Sequence, residues 1–339
     1  MLQAMDDSGK PVDWWFMYKL PRDANSPTNN KATKPSTGFE YLYFDSQSKK
    51  TVAHSANLLI NKAGALYNTL MQLYPTSKNP NEGLGWIFYN DERCDQKPND
   101  DEKGHTKGVL AFDTKSDSAF WLLHSTPRFA LTTDADFPQD ERDYAQTYLC
   151  ITLKDVATAN QIAQQMYEQQ EPQLYCWNEH GNIPQDSYFY KLTQGVNVNE
   201  TDPPSKIEFY SKGGERFYSI AKNRHWGKDF WNDLVGPELN VDLEVETWRR
   251  GTLAGTEDSD KEHTVTDILY INLEPLGVDY EWHYTQDHAK WAISKGPDWV
   301  CVGDINRDTS QEKRGGGTIC FQNKDLWQSL SQIEKLKPA

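Results

Sequence analysis

A His-x-Lys triplet occurs twice in this chain, within "EKGHTKGVLAF" (Glu102 to Phe112) and within "TQDHAKWAIS" (Thr285 to Ser294), each time beside an apolar, strand-like run. The likeness extends past the triplets. After Lys107 come "GVLAFD", the turn-like "TKSDSA" and "FWLLHS"; after Lys290 come "WAIS", the turn-like "KGPD" and "WVCVGDIN". Trp121 and Trp299 occupy comparable places, and His124 stands 17 residues past Lys107 while Asn306 stands 16 past Lys290. Such an internal echo predicts two related halves, 1–175 and 176–339, joined near residue 175.

Side chains two apart on a strand leave on one face, so each triplet can present an imidazole and an ammonium to a single site. One His-x-Lys alone is more often a pair of solvent-facing polar residues. Two copies in matching contexts predict a pseudo-twofold arrangement that gathers both pairs in one pocket. That pocket suits phosphodiester cleavage without a metal ion. A neutral imidazole attacks phosphorus, a protonated one supplies the departing alkoxide, and the lysines stabilise the non-bridging oxygens. The two ammonium groups should also push the imidazoles below their usual ~6.5, which predicts an acid optimum.

Strand-like runs dominate the rest: "VDWWFMYKL", "FEYLYFD", "LGWIFYN", "TYLCITL", "KIEFYS", "VDLEVETW", "TDILYINL" and "GTICFQ" are β-branched or aromatic between turn-forming clusters. Helical periodicity appears in "KAGALYNTLMQLY", "KDVATANQIAQQMYEQQ", "KDFWNDLV" and "KDLWQSLSQIEKL", so the expected class is mixed α/β. Stretches 21–38, 75–83 and 195–205 read as surface loops, and the aromatics of "WWFMY" as core.

A net charge of −15 argues against a protein that coats nucleic acid or anionic membrane with its whole surface, so any polyanion site must be local. No run reaches the ~20 apolar residues of a membrane helix, and "MLQAMDDSGK" lacks a leader's basic-then-apolar order; a leaderless or processed chain is expected. Of the 5 cysteines, Cys301 and Cys320 bracket the polar, glycine-rich "VGDINRDTSQEKRGGGTI", where a disulfide would contribute ~3 kcal/mol and fit an oxidising or acidic compartment. The odd count leaves a thiol unpaired within the chain. No close Cys or His spacing suggests zinc, and no metal or cofactor is assigned.

Further residues resemble a known family: "DSGKPVDWWFMYKLP" at 7–21, "FYND" at 88–91, "GHTKGVL" at 104–110, "FWLLHSTPRF" at 120–129, "QTYLC" at 146–150, "DHAKW" at 287–291, "WVCVGDINR" at 299–307 and "RGGGTIC" at 314–320. In this order they resemble deoxyribonuclease II, an acid endonuclease family and distant branch of the phospholipase D superfamily. The resemblance implies a phospholipase D-like fold of two mixed-sheet halves in one polypeptide. It also implies metal-independent cleavage of DNA, mainly duplex, to 3′-phosphate and 5′-hydroxyl ends, in a secreted, periplasmic or lysosome-like acidic setting. His105 with Lys107 and His288 with Lys290 carry over as catalytic pairs, His105 as nucleophile and His288 as acid/base, with His124 in support. Asp304 and Asn306 of "GDIN" carry over to substrate or imidazole contact, and Arg307, Lys313 and Arg314 are expected at backbone phosphates, with the glycines permitting close approach. The superfamily's Asp after His-x-Lys is missing: Phe112 and Lys295 stand in its places, and what orients each histidine is left open. Asp287 should point away from His288.

Two rivals remain at this stage. "GDIN" with "QDH" suggests a magnesium-dependent endonuclease/phosphatase, although the motifs come in the reverse order; a non-catalytic DNA-binding homologue would usually have lost a histidine, yet both pairs are intact. No membrane or required protein partner is expected, and a homodimer is left open.

Overall fold

In a computed structural model the described residues are 1–28, 34–48, 52–74, 83–95, 97–100, 102–178, 184–195, 198–249 and 262–336. Alternation along the strands decides the layers. In the strand Trp14–Lys19, Trp14, Phe16 and Tyr18 enter one core while Trp15 and Met17 enter another. Side chains on a strand alternate between faces, so an unbroken aromatic run belongs in a sheet covered on both sides. The first sheet runs in the order Leu174–Asn178, Leu84–Asn90, Lys107–Asp113, Ser118–His124, Gln146–Leu153, Trp14–Lys19, Tyr41–Asp45, Ala53–His54, with every neighbouring pair antiparallel.

The second sheet runs Ser205–Tyr210, Arg216–Lys222, Gly316–Gln322, Trp299–Gly303, Lys290–Lys295, Asp242–Thr247, Val265–Asp267, antiparallel except for its last pair. One apolar core takes Trp14, Trp121 and Ile151 from the first sheet and Trp291, Val302 and Phe321 from the second. The outer face of the first sheet is covered by the helix Ala65–Leu70, and that of the second by the helical turns Trp231–Val235 and Gly236–Leu239. The helices Val156–Gln165 and Lys324–Ile333 add Ile162, Leu326 and Leu330 to the shared core.

The α/β class holds, with fewer helical residues than the periodicity suggested: "KAGALYNTLMQLY" is helical only over Ala65–Leu70. The first sheet is wholly antiparallel, not mixed. "TDILYINL" breaks after Asp267 and resumes as Tyr270–Asn272 in a separate small sheet with Glu281–His283 and Glu334–Lys335. The strand Leu174–Asn178 carries the first sheet past residue 175, so a boundary there falls inside an edge strand. The "WWFMY" aromatics are core. Parts of the three expected loops, at 29–33, 75–82 and 196–197, lie outside the described residues. Among the described residues no helix is long and apolar enough to cross a membrane.

The registers show how the two sheets compare. Lys107 opens its strand opposite Asn90, the last residue of its neighbour; Lys290 opens its strand opposite Thr247, likewise the last. On the other side Gly108 faces Leu123 and Trp291 faces Val302, so His124 corresponds to Gly303, and Asn306 lies three places further on. The sequence echo is therefore offset there, because the first hairpin has the longer strands, Lys107–Asp113 and Ser118–His124 against Lys290–Lys295 and Trp299–Gly303. Next come Gln146 facing Lys19 and Gly316 facing Lys222.

Candidate active site

Both triplets meet in one cleft of about 490 Å³, lined by His105, Lys107, His288, Lys290, Asp91, Ser125, Trp248, Asn306 and Arg314 among others. Neither histidine sits in a strand, contrary to the expectation: each precedes the lysine that opens its strand, on the loop entering the sheet. The pairs nonetheless share a site, because all the strand termini concerned lie at one end of each sheet.

His105 is fixed by backbone. Its Nδ1 lies 2.6 Å from the Asp304 carbonyl, and its amide donates to Gly315 O at 2.8 Å. A proton on Nδ1 donated to that carbonyl leaves Nε2 as the lone-pair nitrogen. This answers what orients the first histidine: a main-chain oxygen of "GDIN", in place of a side-chain carboxylate. Gly104 makes the approach feasible, since a Cβ there would stand 1.9 Å from Gln170 O and 2.9 Å from Gly315 O. The glycines of "RGGG" do the same on their side and are buried against protein, with a Cβ at Gly315 meeting Gln170 O at 2.7 Å. They serve packing, and the expectation that they let DNA approach closely is corrected.

Asp91 follows the strand Leu84–Asn90 and so emerges beside Lys107, whose ammonium it holds; its other oxygen lies 3.5 Å from His105 Nε2 and 3.6 Å from Arg314. Burial opposes ionisation of Asp91, but Lys107, His105 and Arg314 outweigh it and hold the carboxyl below the usual range. His105 is pushed well below the ordinary imidazole value, first by burial, then by Lys107, with Lys290 and Arg314 adding to it against Asp91. The direction agrees with the sequence expectation, while the leading cause is burial.

His288 is held differently. Its ring stacks on Tyr144 at 3.9 Å with an interplanar angle of 10° and meets Trp248 at 4.4 Å. Its amide donates to Ala145 O at 2.9 Å, and its carbonyl accepts from Lys290 Nζ at 2.6 Å. Asp287 does turn away: it accepts from Tyr18 Oη, from Trp282 Nε1 at 2.8 Å and from the Ala289 amide at 2.8 Å. Lys290 is lowered to about 7, first by burial and then by Lys107.

His124 is buried beneath the cleft against Tyr148 and Phe129, and burial followed by Lys107 lowers it to about 3. The ring is therefore held neutral. Asn306 lines the cleft, and its Oδ1 has no hydrogen-bond partner among the described residues. The Asp304 side chain is buried, its carboxyl pushed well up by burial against the pull of Lys107, so the residue acts through its carbonyl. Arg314 reaches the cleft while donating to Lys103 O at 2.7 Å and Gly104 O at 3.2 Å. Arg307 does not: its guanidinium is buried in ion pairs with Asp229 at 2.9 Å and Asp267 at 2.7 Å, so the sequence placement at a phosphate is corrected. Lys313 is exposed. Cys301 and Cys320 are cross-strand partners and form the disulfide. Sequence reading gave no role to Asp91, Tyr144 or Trp248; "FYND" was the one signal available, for Asp91.

The family model described as Deoxyribonuclease II matches residues 3–336. This chain belongs to the deoxyribonuclease II family. A Burkholderia pseudomallei protein named as a deoxyribonuclease-2 is 45% identical over 339 residues, covering 99% of this chain and 93% of its own. The Caenorhabditis elegans deoxyribonuclease-2 is 33% identical over 97% of this chain and 91% of its own, and the Sus scrofa deoxyribonuclease-2-alpha 31% over 98% and 89%. In this deoxyribonuclease II family member the matched region takes in both triplets and every cleft residue named above.

Proposed function

We propose that this chain is an acid endonuclease that hydrolyses DNA phosphodiesters, mainly in duplex DNA, without a metal ion and through a phosphohistidine. The observation that carries the reading is the meeting of His105, Lys107, His288 and Lys290 in one cleft. Family membership supports DNA as substrate. His105 Nε2 forms the bond to phosphorus as the P–O5′ bond breaks, and His288, protonated, gives its proton to the departing O5′. His288 then takes a proton from water; the water oxygen bonds to phosphorus and the P–Nε2 bond breaks, leaving 3′-phosphate and 5′-hydroxyl ends.

Aromatic faces attract a cation, so Tyr144 and Trp248 favour the imidazolium that an acid requires, whereas His105 sits among ammonium and guanidinium groups that favour the neutral ring a nucleophile requires. Lys107, Lys290 and the Asn306 amide supply the polarity for the phosphoryl oxygens. The two halves, joined beyond the strand Leu174–Asn178 in the phospholipase D-like manner, are read as a pseudo-twofold pair, supported by the matching registers of the two sheets. A formed disulfide supports an oxidising setting.

The test is plasmid nicking in excess chelator from about pH 4 to about pH 8, for wild type, His105→Ala and His288→Ala. Cleavage by wild type that fades toward neutrality and is lost in both variants is expected. Dependence on added magnesium would overturn the metal-free mechanism, and retained activity in a variant would remove that histidine from its role.

A further inference from the structure

Lys19 and Lys222 are each 0% exposed, although an ammonium is among the costliest groups to bury. Each closes a strand, Trp14–Lys19 in the first sheet and Arg216–Lys222 in the second. Their places correspond: Lys19 faces Gln146, Lys222 faces Gly316, and each of those partners is the first residue of its strand. The burial is compensated in the same way twice. Lys19 Nζ donates to Leu20 O at 3.0 Å, Arg142 O at 3.1 Å and Tyr144 O at 2.7 Å. Lys222 Nζ donates to Gln311 O at 2.9 Å, Glu312 O at 2.7 Å and Arg314 O at 2.5 Å. Three carbonyls use all three ammonium donors.

The loops so gripped cross to the opposite histidine. From the first-half loop, Tyr144 stacks on His288 and Ala145 O accepts the His288 amide at 2.9 Å. From the second-half loop, Gly315 O accepts the His105 amide at 2.8 Å, and Arg314 donates to the carbonyls of Lys103 and Gly104 just before it. Lys19 and Lys222 touch neither ring, so whatever they do for the reaction passes through these loops.

We propose that Lys19 and Lys222 are paired positioning residues, each fixing the loop of its own half that seats the catalytic histidine of the other. This rests on the reading of His105 and His288 given above. A buried ammonium with three short donors is a firmer clamp on irregular backbone than an apolar side chain of the same length, because it fixes direction as well as distance. Burial lowers both lysines to about 7. In the acidic range each keeps its charge and its third donor.

The experiment uses the full chain with isotopically labelled histidine, in the variants Lys19→Met and Lys222→Met, with the ring signals of His105 and His288 assigned by their alanine variants. Lys19→Met is expected to move the His288 signals and spare those of His105; Lys222→Met is expected to do the reverse. In each, kcat should fall about tenfold or more with KM little changed, as for a loss of orientation at the reacting atoms. Should a methionine variant fail to melt cooperatively, Lys19→Gln and Lys222→Gln, which keep two amide donors for the same carbonyls but lose the third, take its place, and the same crossed pattern is expected. Signals that stay put in folded variants, or that move in the lysine's own half, overturn the proposal. These signals do not depend on cleavage, so activity surviving in the alanine variants would separately strike the histidine roles.

Discussion

His105 and His288 occupy matching places in their sheets, each two residues ahead of the lysine that opens its strand, yet their surroundings are unlike. Chain leaving Leu84–Asn90 sets Asp91 beside His105, while chain leaving Asp242–Thr247 sets Trp248 against His288. One position in the architecture thus carries a carboxylate in the first half and an indole in the second. The loop facing across repeats the inequality, with Arg314 on the His105 side and Tyr144 on the His288 side. One scaffold thus gives two imidazoles different surroundings by exchanging a single neighbour on either side: charged groups around His105, the proposed nucleophile, and flat aromatic faces around His288, the proposed acid.

The comparison is most exposed to a substrate that needs no acid. On DNA, His105→Ala and His288→Ala should each lose about 10⁴-fold or more in rate. On a diester with a p-nitrophenyl leaving group, His288→Ala should still release one burst equivalent of nitrophenolate and then stall, whereas His105→Ala should release none; stopped-flow absorbance reads the difference, and equal behaviour would erase the division of labour.

Next in size is Lys290→Met, with an expected loss of about 10²-fold in kcat, the scale for one electrostatic contact to a developing charge. Lys290 is lowered to about 7, so its charge is present in acid and lost as pH rises through about 7. Wild-type activity should decline over that interval, while the low-lying His105 stays neutral well into acid. Lys290→Arg keeps its charge and should carry the declining limb to higher pH.

Removing the aromatic faces costs less. Trp248→Leu and Tyr144→Leu should each lower kcat by about tenfold, and Tyr144→Phe should be close to wild type because the ring, not the hydroxyl, meets His288.

The smallest effect separates the halves by stability. Asp91 is held below the usual carboxylate range, so its contribution is present at neutral pH and lost as pH falls through its folded value. Glu246, buried on the His288 side, is pushed well up by burial and by Asp287, so its contribution is full in acid and lost as pH rises. Melting curves should show Glu246→Gln flattening the decline in Tm between about pH 4 and pH 7 by a few degrees, with Asp91→Asn instead lowering Tm throughout that range and losing its effect only in stronger acid.

Much of this was legible in the sequence, because strand alternation and a repeated triplet are local signals. The run "VDWWFMYKL" declared a strand with its aromatics in the core, and the two triplets declared their common site. What escaped was set by register and by loops that cross between the halves. Nothing near Tyr144 in sequence points to His288, and Arg307 looked like a phosphate contact until Asp229 and Asp267 enclosed it. The strand "RFYSIAK" was missed because its polar ends hid a buried Ile220 and Ala221. Its closing lysine and that of "WWFMYK" read as ordinary strand ends, and only the carbonyls gathered around them reveal otherwise.

The exchanged amide contacts, His288 to Ala145 and His105 to Gly315, bear on how such a chain can change over generations. A substitution in either loop is felt first by the far half's histidine, so the two halves are not free to drift apart as independent lineages would. Variation tolerated in one must be answered in the other.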